Sequence, residues 1–200
     1  MSDKEVKRLF IAITFHPEES FAEKVRQLRQ CTFRTDMVNW VQPDLLHLTL
    51  KFIGETDTAR IPDICSAVEA AVRTVNPFTI TLDRIGAFGS RHQPRVIWLG
   101  PIYTPDVMVQ LHHRIDLNLA MKGFPKTFGN FVCHLTLARI HRIGDKGYFW
   151  KQFEACRQLF SEKVEVRECV LYESILHKGY QPQYVALERF RLSGKSEGQL

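Results

Sequence analysis

A tetrapeptide that occurs twice, His47-Leu48-Thr49-Leu50 and His134-Leu135-Thr136-Leu137, constrains this chain more than any other feature. The copies stand 87 residues apart in 200, and the spacing extends beyond them. Arg8-Leu9-Phe10-Ile11-Ala12-Ile13 is answered 87 residues on by Arg95-Val96-Ile97-Trp98-Leu99-Gly100. Phe78-Thr79-Ile80-Thr81-Leu82 is answered 86 residues on by Val164-Glu165-Val166-Arg167-Glu168. A register kept over three landmarks points to an internal duplication, with units over about 8–90 and 95–180. A further apolar segment over about 184–192 is expected to close the second unit's sheet.

Side chains of a strand alternate between faces, so each copy turns its His and Thr to one side and its two Leu to the other. If a pseudo-twofold axis relates the units, two imidazoles and two hydroxyls face each other across a cleft. That set suits in-line attack at phosphorus. One neutral imidazole takes a proton from water, the other, protonated, gives one to the leaving oxygen, and the hydroxyls hold the non-bridging oxygens. Histidine with its ordinary pKa near 6.5 supplies both forms at neutral pH. A single H-x-T reads as an ordinary strand histidine; the whole tetrapeptide repeated in matching contexts reads as a site.

Composition narrows the class. A chain 44% hydrophobic and 24% charged can bury a real core, and one domain of two lobes fits its length. No apolar run approaches the roughly 20 residues that span a bilayer, and the N-terminal residues enter a strand directly, so no membrane association and a cytoplasmic location are expected. The five cysteines are odd in number and show no C-x-x-C spacing, which argues against a disulfide framework or a cysteine zinc site. A formal charge of +5 favours phosphate-bearing partners, although no basic block marks a nucleic-acid arm. His112 and His113 are neighbours on a helix and diverge by about 100°, so they read as solvent-facing residues and not as metal ligands. Nothing signals an oligomer interface, and a monomer is expected.

Apolar spacing predicts strand, helix and strand in the same order twice. The first unit has a strand over 8–14, a helix from Glu18 through Leu28, strands over 38–41 and 46–53 joined as a hairpin around Pro43-Asp44 and ended by Gly54, a helix over 57–74, and a strand over 78–85. Residues 86–94 read as a turn-rich connection. The second unit has a strand over 95–100, helices over 106–121 and 146–160, strands over 131–138 and 163–176, and the closing strand. The segment 122–130 reads as a loop, mobile from Gly123 to Asn130 and set against the substrate, with Lys122 and Lys126 placed to meet a phosphate backbone.

These motifs resemble the 2H phosphoesterase superfamily and, within it, the LigT-like RNA 2′,3′-cyclic phosphodiesterases, also called the 2′-5′ RNA ligase family. The likeness runs from Arg8 to about Leu192 and includes His47-Leu48-Thr49-Leu50-Lys51-Phe52-Ile53-Gly54, His134-Leu135-Thr136-Leu137-Ala138-Arg139 and a late Tyr184. It implies an α+β, two-lobed fold with two antiparallel sheets facing a central cleft and helices outside. The implied activity is metal-independent, cofactor-free hydrolysis of RNA 2′,3′-cyclic phosphate ends, or of cyclic nucleotides, to 2′-phosphomonoesters. By motif, His47 is the proton donor and His134 the proton acceptor. Thr49, Thr136 and Arg139 bind phosphate, while Phe52 and Tyr184 meet the substrate or its base. Arg139 stands at an odd offset from His134, so the strand must bend or end to aim it. The family commonly carries proline before the second histidine; here Cys133 stands there, pointing away from the histidine face as a packing change. The alternatives are the reverse reaction, 2′-5′ ligation of tRNA halves, and a non-catalytic RNA- or nucleotide-binding module. A zinc hydrolase comes third, since no carboxylate or thiolate stands at ligand spacing.

Overall fold

The structure, a computed structural model, describes residues 5–194. The first lobe is a four-stranded antiparallel sheet in the order β10-β9-β1-β3, from β1 (Val6–Thr14), β3 (His47–Asp57), β9 (Glu168–Ile175) and β10 (Gln183–Arg191). The second lobe runs β7-β6-β5, from β5 (Arg84–Gly89), β6 (Pro94–Gly100) and β7 (Leu135–Arg142), with β2 (Met37–Trp40) on β7 as well. One residue pair, Leu48 opposite Leu135, joins the lobes into a continuous sheet. Those two leucines are 87 residues apart, so the pseudo-twofold axis passes between the two copies of the tetrapeptide.

A two-stranded ribbon of β4 (Phe78–Leu82) and β8 (Glu162–Val166) repeats this arrangement, pairing Thr79 with its counterpart Glu165. Helices α1 (Glu19–Leu28), α2 (Ile61–Val72), α3 (Asp106–Met121) and α4 (Lys146–Ala155) complete the chain. They and the ribbon pack on one face of the sheet. The core is a single cluster in which Leu9, Ile11, Ile13, Leu48, Leu50, Ile97, Leu99, Leu135 and Leu137 meet Ile64, Val68, Leu111, Ile115 and Phe149. The apolar stripe of each helix and the alternate residues of each strand therefore share one interior.

Several elements differ from expectation. The 38–41 and 46–53 segments form no hairpin, because β2 pairs with β7 and a short 3-10 turn over Pro43–Leu45 carries the chain back to β3. Gly54 lies within β3, with φ +91° beside a register shift, and does not end the strand. The predicted connection over 86–94 begins as strand β5, and only residues 90–93 turn. Strand β7 starts at Leu135, and α4 stops at Ala155. The closing strand β10 lies outside β9 in the first lobe and so does not close a sheet of its own unit. Each lobe borrows strands from the other half of the sequence, since β9 and β10 complete the sheet of β1 and β3 while β2 and β5 complete that of β6 and β7.

Candidate active site

Because Leu48 and Leu135 point into the core, His47, Thr49, His134 and Thr136 all turn to the opposite face, and the four line one cavity of about 790 Å³. The two histidines are held alike. The His47 Nδ1–H donates to the Leu45 carbonyl at 2.8 Å, and the His134 Nδ1–H donates to the Val132 carbonyl at 2.8 Å. A carbonyl can only accept, so each neutral ring carries its proton on Nδ1 and presents an unprotonated Nε2. Burial lowers the pKa of both rings. For His47 the positive charge of a protonated His134 and of Arg139 adds to the effect, and for His134 that of Arg139 does, while the carbonyl bonds oppose it.

Arg139 lines the same cavity. Its odd offset is resolved by a bulge. Ile97 pairs with Ala138 and Trp98 with Thr136, which leaves Leu137 as an extra residue turned into the core and returns Arg139 to the face of Thr136. The first lobe has the same device, with Ile11 opposite Lys51, Ala12 opposite Thr49, and Leu50 as the extra residue. Phe52 thus holds in β3 the place that Arg139 holds in β7. These ladders also correct the sequence register by one residue, because Thr49 faces Ala12 while Thr136 faces Trp98, a spacing of 86 along β1 and β6.

Aromatic rings wall both histidines. The His47 ring meets Phe10 at 5.0 Å and the edge of Tyr184 at 5.1 Å; the His134 ring meets Phe88 at 4.9 Å and Trp98 at 6.5 Å. The cavity continues along Val38, Asn39, Trp40 and His141 on one side and Tyr180 and Gln181 on the other. Gln181 ties these flanks together: its Nε2 donates to the Trp40 carbonyl at 2.9 Å, and its Oε1 accepts the Gln42 N–H at 3.2 Å. Phe10 could have been found in the sequence as the residue alternating with Leu9 and Ile11. Trp40, His141 and Gln181 could not, because they reach the site through pairings distant in sequence. Phe52 is 52% exposed and lies outside the lining of this cavity, with the Arg8 guanidinium 4.9 Å above its ring.

Residues 15–98 match the family model described as LigT like phosphoesterase. The RNA 2′,3′-cyclic phosphodiesterase of Methanocaldococcus jannaschii is 30% identical over 84% of this chain and 92% of its own. That of Escherichia coli K12 is 30% identical over 94% and 98%. The chain belongs to the LigT-like phosphoesterase family. Among solved structures, Thermus thermophilus TT0787 superimposes with a TM-score of 0.74 at 27% identity, covering 94% of this chain and all of that one. E. coli LigT complexed with 3′-AMP superimposes with a TM-score of 0.70 at 28% identity, covering 94% and 99%.

In this LigT-like phosphoesterase the expected substrate loop is held in its first half, at Pro125 and Thr127, while Phe128 next to it is 95% exposed. Lys51, 5% exposed, donates from Nζ to Asp116 at 2.5 Å, to the Pro125 carbonyl at 2.7 Å and to Thr127 Oγ1 at 3.0 Å. Asp116 also accepts the Thr127 N–H. Burial would raise the Asp116 carboxyl, but the Lys51 ammonium and the Thr127 donors outweigh it and bring its pKa to about 2. Nor is His112 solvent-facing. Its Nδ1–H donates to the Leu50 carbonyl at 2.7 Å, and its ring stacks on Phe131 at 4.2 Å. Cys133 is buried, and burial pushes its thiol up to about 12, as suits a packing residue.

Proposed function

We propose that this protein hydrolyses 2′,3′-cyclic phosphate ends of RNA, and the corresponding cyclic nucleotides, to 2′-phosphomonoesters, with the whole chain acting as one domain and a monomer in the cytoplasm. The observation that carries the reading is the convergence of two identically tethered histidines, two threonine hydroxyls and one arginine on a single cavity. Among the described residues neither threonine hydroxyl has a side-chain hydrogen bond and Arg139 has no ion pair, which leaves these groups for a ligand. The relatives named RNA 2′,3′-cyclic phosphodiesterase support the choice of substrate.

Catalysis follows from the tautomers. The neutral His134 Nε2 takes a proton from water as its oxygen attacks phosphorus, and His47, protonated at Nε2, gives one to the departing 3′ oxygen. In the free protein burial keeps both rings neutral near pH 7. The bound phosphodiester brings one negative charge, which favours the imidazolium and charges His47 when substrate is present. Thr49 and Thr136 hold the non-bridging oxygens, while the Arg139 guanidinium meets the charge that grows on them in the transition state. A metal site would need a third donor, and no group of three His, Cys, Asp or Glu side chains suited to a metal occurs among the described residues.

Product identity tests this. An oligonucleotide ending in a 2′,3′-cyclic phosphate is expected to yield the 2′-phosphate in excess EDTA, with His47→Ala and His134→Ala each lowering kcat by roughly 10²-fold or more. A 3′-phosphate product, a metal requirement, or near wild-type turnover by either variant overturns the mechanism. A 5′-hydroxyl RNA in the same reaction reads out the reverse joining reaction.

A further inference from the structure

We propose that Arg8, carried on the ring of Phe52, is a second anion position of the cleft and takes the phosphodiester on the 5′ side of the terminal nucleotide; this rests on the cyclic-phosphate reading above. Four observations converge on Arg8.

The first is its face. Leu9, Ile11 and Ile13 of β1 point into the core, so Arg8 points with Phe10 toward the cleft, and Phe10 packs against His47. The second is the pseudo-symmetry. Phe52 stands where β7 has Arg139, so the first lobe has no guanidinium at that strand position; Arg8 brings one there from the neighbouring strand, 4.9 Å over the Phe52 ring. The third is its freedom. Glu55 faces Arg8 across the ladder, yet among the described residues Arg8 makes no ion pair or side-chain hydrogen bond, whereas the adjacent Lys7 is bound to Glu173 at 2.8 Å. The fourth is electrostatic: burial raises the Tyr184 phenol, and the charges of Arg139 and then Arg8 oppose it, so both guanidinium groups act on one tyrosine whose ring meets that of His47.

Arg139 lines the cavity around the histidines, whereas Arg8 and Phe52 lie outside that lining. The two arginines are therefore suited to different phosphates, Arg139 to the cyclic one and Arg8 to the next along the chain. A guanidinium lying on an aromatic ring keeps its donor edge free, and its planar fork matches two phosphate oxygens. Such a position makes an RNA end a better substrate than a cyclic mononucleotide.

The test uses two dinucleotides with a 2′,3′-cyclic phosphate, one joined by an ordinary phosphodiester and the other by an uncharged methylphosphonate. The wild type is expected to favour the charged linkage by about tenfold in kcat/KM, since a hydrogen bond to a charged group contributes about that much. Arg8→Ala abolishes the preference, and Phe52→Leu, which removes the platform and keeps the charge, weakens it. With the charged dinucleotide, the salt dependence of log kcat/KM becomes shallower by about 0.7 in Arg8→Ala, the value for one single-strand phosphate contact. Absence of a preference in the wild type, or an Arg8→Ala preference equal to the wild type's, overturns the proposal. An equal loss on the dinucleotide and the cyclic mononucleotide also overturns it, since that places Arg8 on the scissile phosphate. Failure of the wild type to cleave any of these substrates is a different result and removes the underlying functional reading.

Discussion

The two histidines of the cleft share a tether, a tautomer and an aromatic wall, and the charge of Arg139 acts on both. Its charge helps hold both imidazoles below the ordinary histidine range, after burial in each case. The base form of His134 therefore persists below pH 6.5, and the acid limb of kcat/KM is expected there. Arg139→Gln removes that charge, which moves the limb upward toward 6.5, and removes a donor to the transition state, which lowers kcat by about 10²-fold. A pH–rate profile of both proteins is the measurement. An unmoved limb would separate Arg139 from the histidines, and an unmoved kcat would separate it from phosphate. The same lowering is a stability statement. The unfolded chain binds protons at these histidines more readily than the folded one, so their contribution is intact above about pH 6.5 and is lost as the pH falls from there through the lowered folded values.

At the scale of elements, the duplicated strands are alike and their supports are not. In the second lobe the Leu137 carbonyl accepts the Val41 N–H at 2.9 Å, an ordinary backbone bond from the end of β2. In the first lobe the equivalent carbonyl of Leu50 accepts the His112 ring from α3. The segment 87 residues after β2, residues 124–127, is not a strand; the Lys51 and Asp116 pair holds it by side-chain bonds. Lys51→Met removes the cation from Asp116 and leaves its carboxylate with the Thr127 donors alone, a change that costs about 1–3 kcal/mol. For a chain of this length that is a fall in Tm of roughly 2–12 °C, measurable by calorimetry. A Tm within a degree of wild type would mean that the pair does not hold the segment. The asymmetry also explains what could be read in advance. Helix α3 matched its predicted bounds because Val107, Leu111, Ile115 and Leu119 keep strict helical spacing. The tetrapeptides revealed the quartet because strand alternation is local. The bulges at Leu50 and Leu137 leave no periodic trace, so how Arg139 is aimed and what Phe52 faces became visible only in the ladders. The role of His112 depended on a carbonyl 62 residues away.

For the molecule as a whole, the duplication did not produce two self-sufficient halves. A chain cut after Gln93 would leave β1 and β3 without β9 and β10, and β5 without β6. The piece after the cut would hold β6 and β7 without β5 or β2, and β8 without β4. Each half would expose unpaired strand edges and one side of a core that is a single cluster in the intact protein. The polar lining of the cleft is divided in the same way, with His47 and Thr49 on one piece and His134, Thr136 and Arg139 on the other. Residues 1–93 and 94–200 expressed separately are therefore expected to show no cooperative thermal transition by circular dichroism. Mixed or co-expressed, they are expected to recover one transition together with any cyclic phosphodiesterase turnover. A cooperative transition in either fragment alone would mean that the exchanged strands are dispensable and that the repeats are independent folding units. Restored folding without turnover would mean instead that the covalent link through Gln93 and Pro94, at the head of the β6 strand, sets the spacing between the histidines.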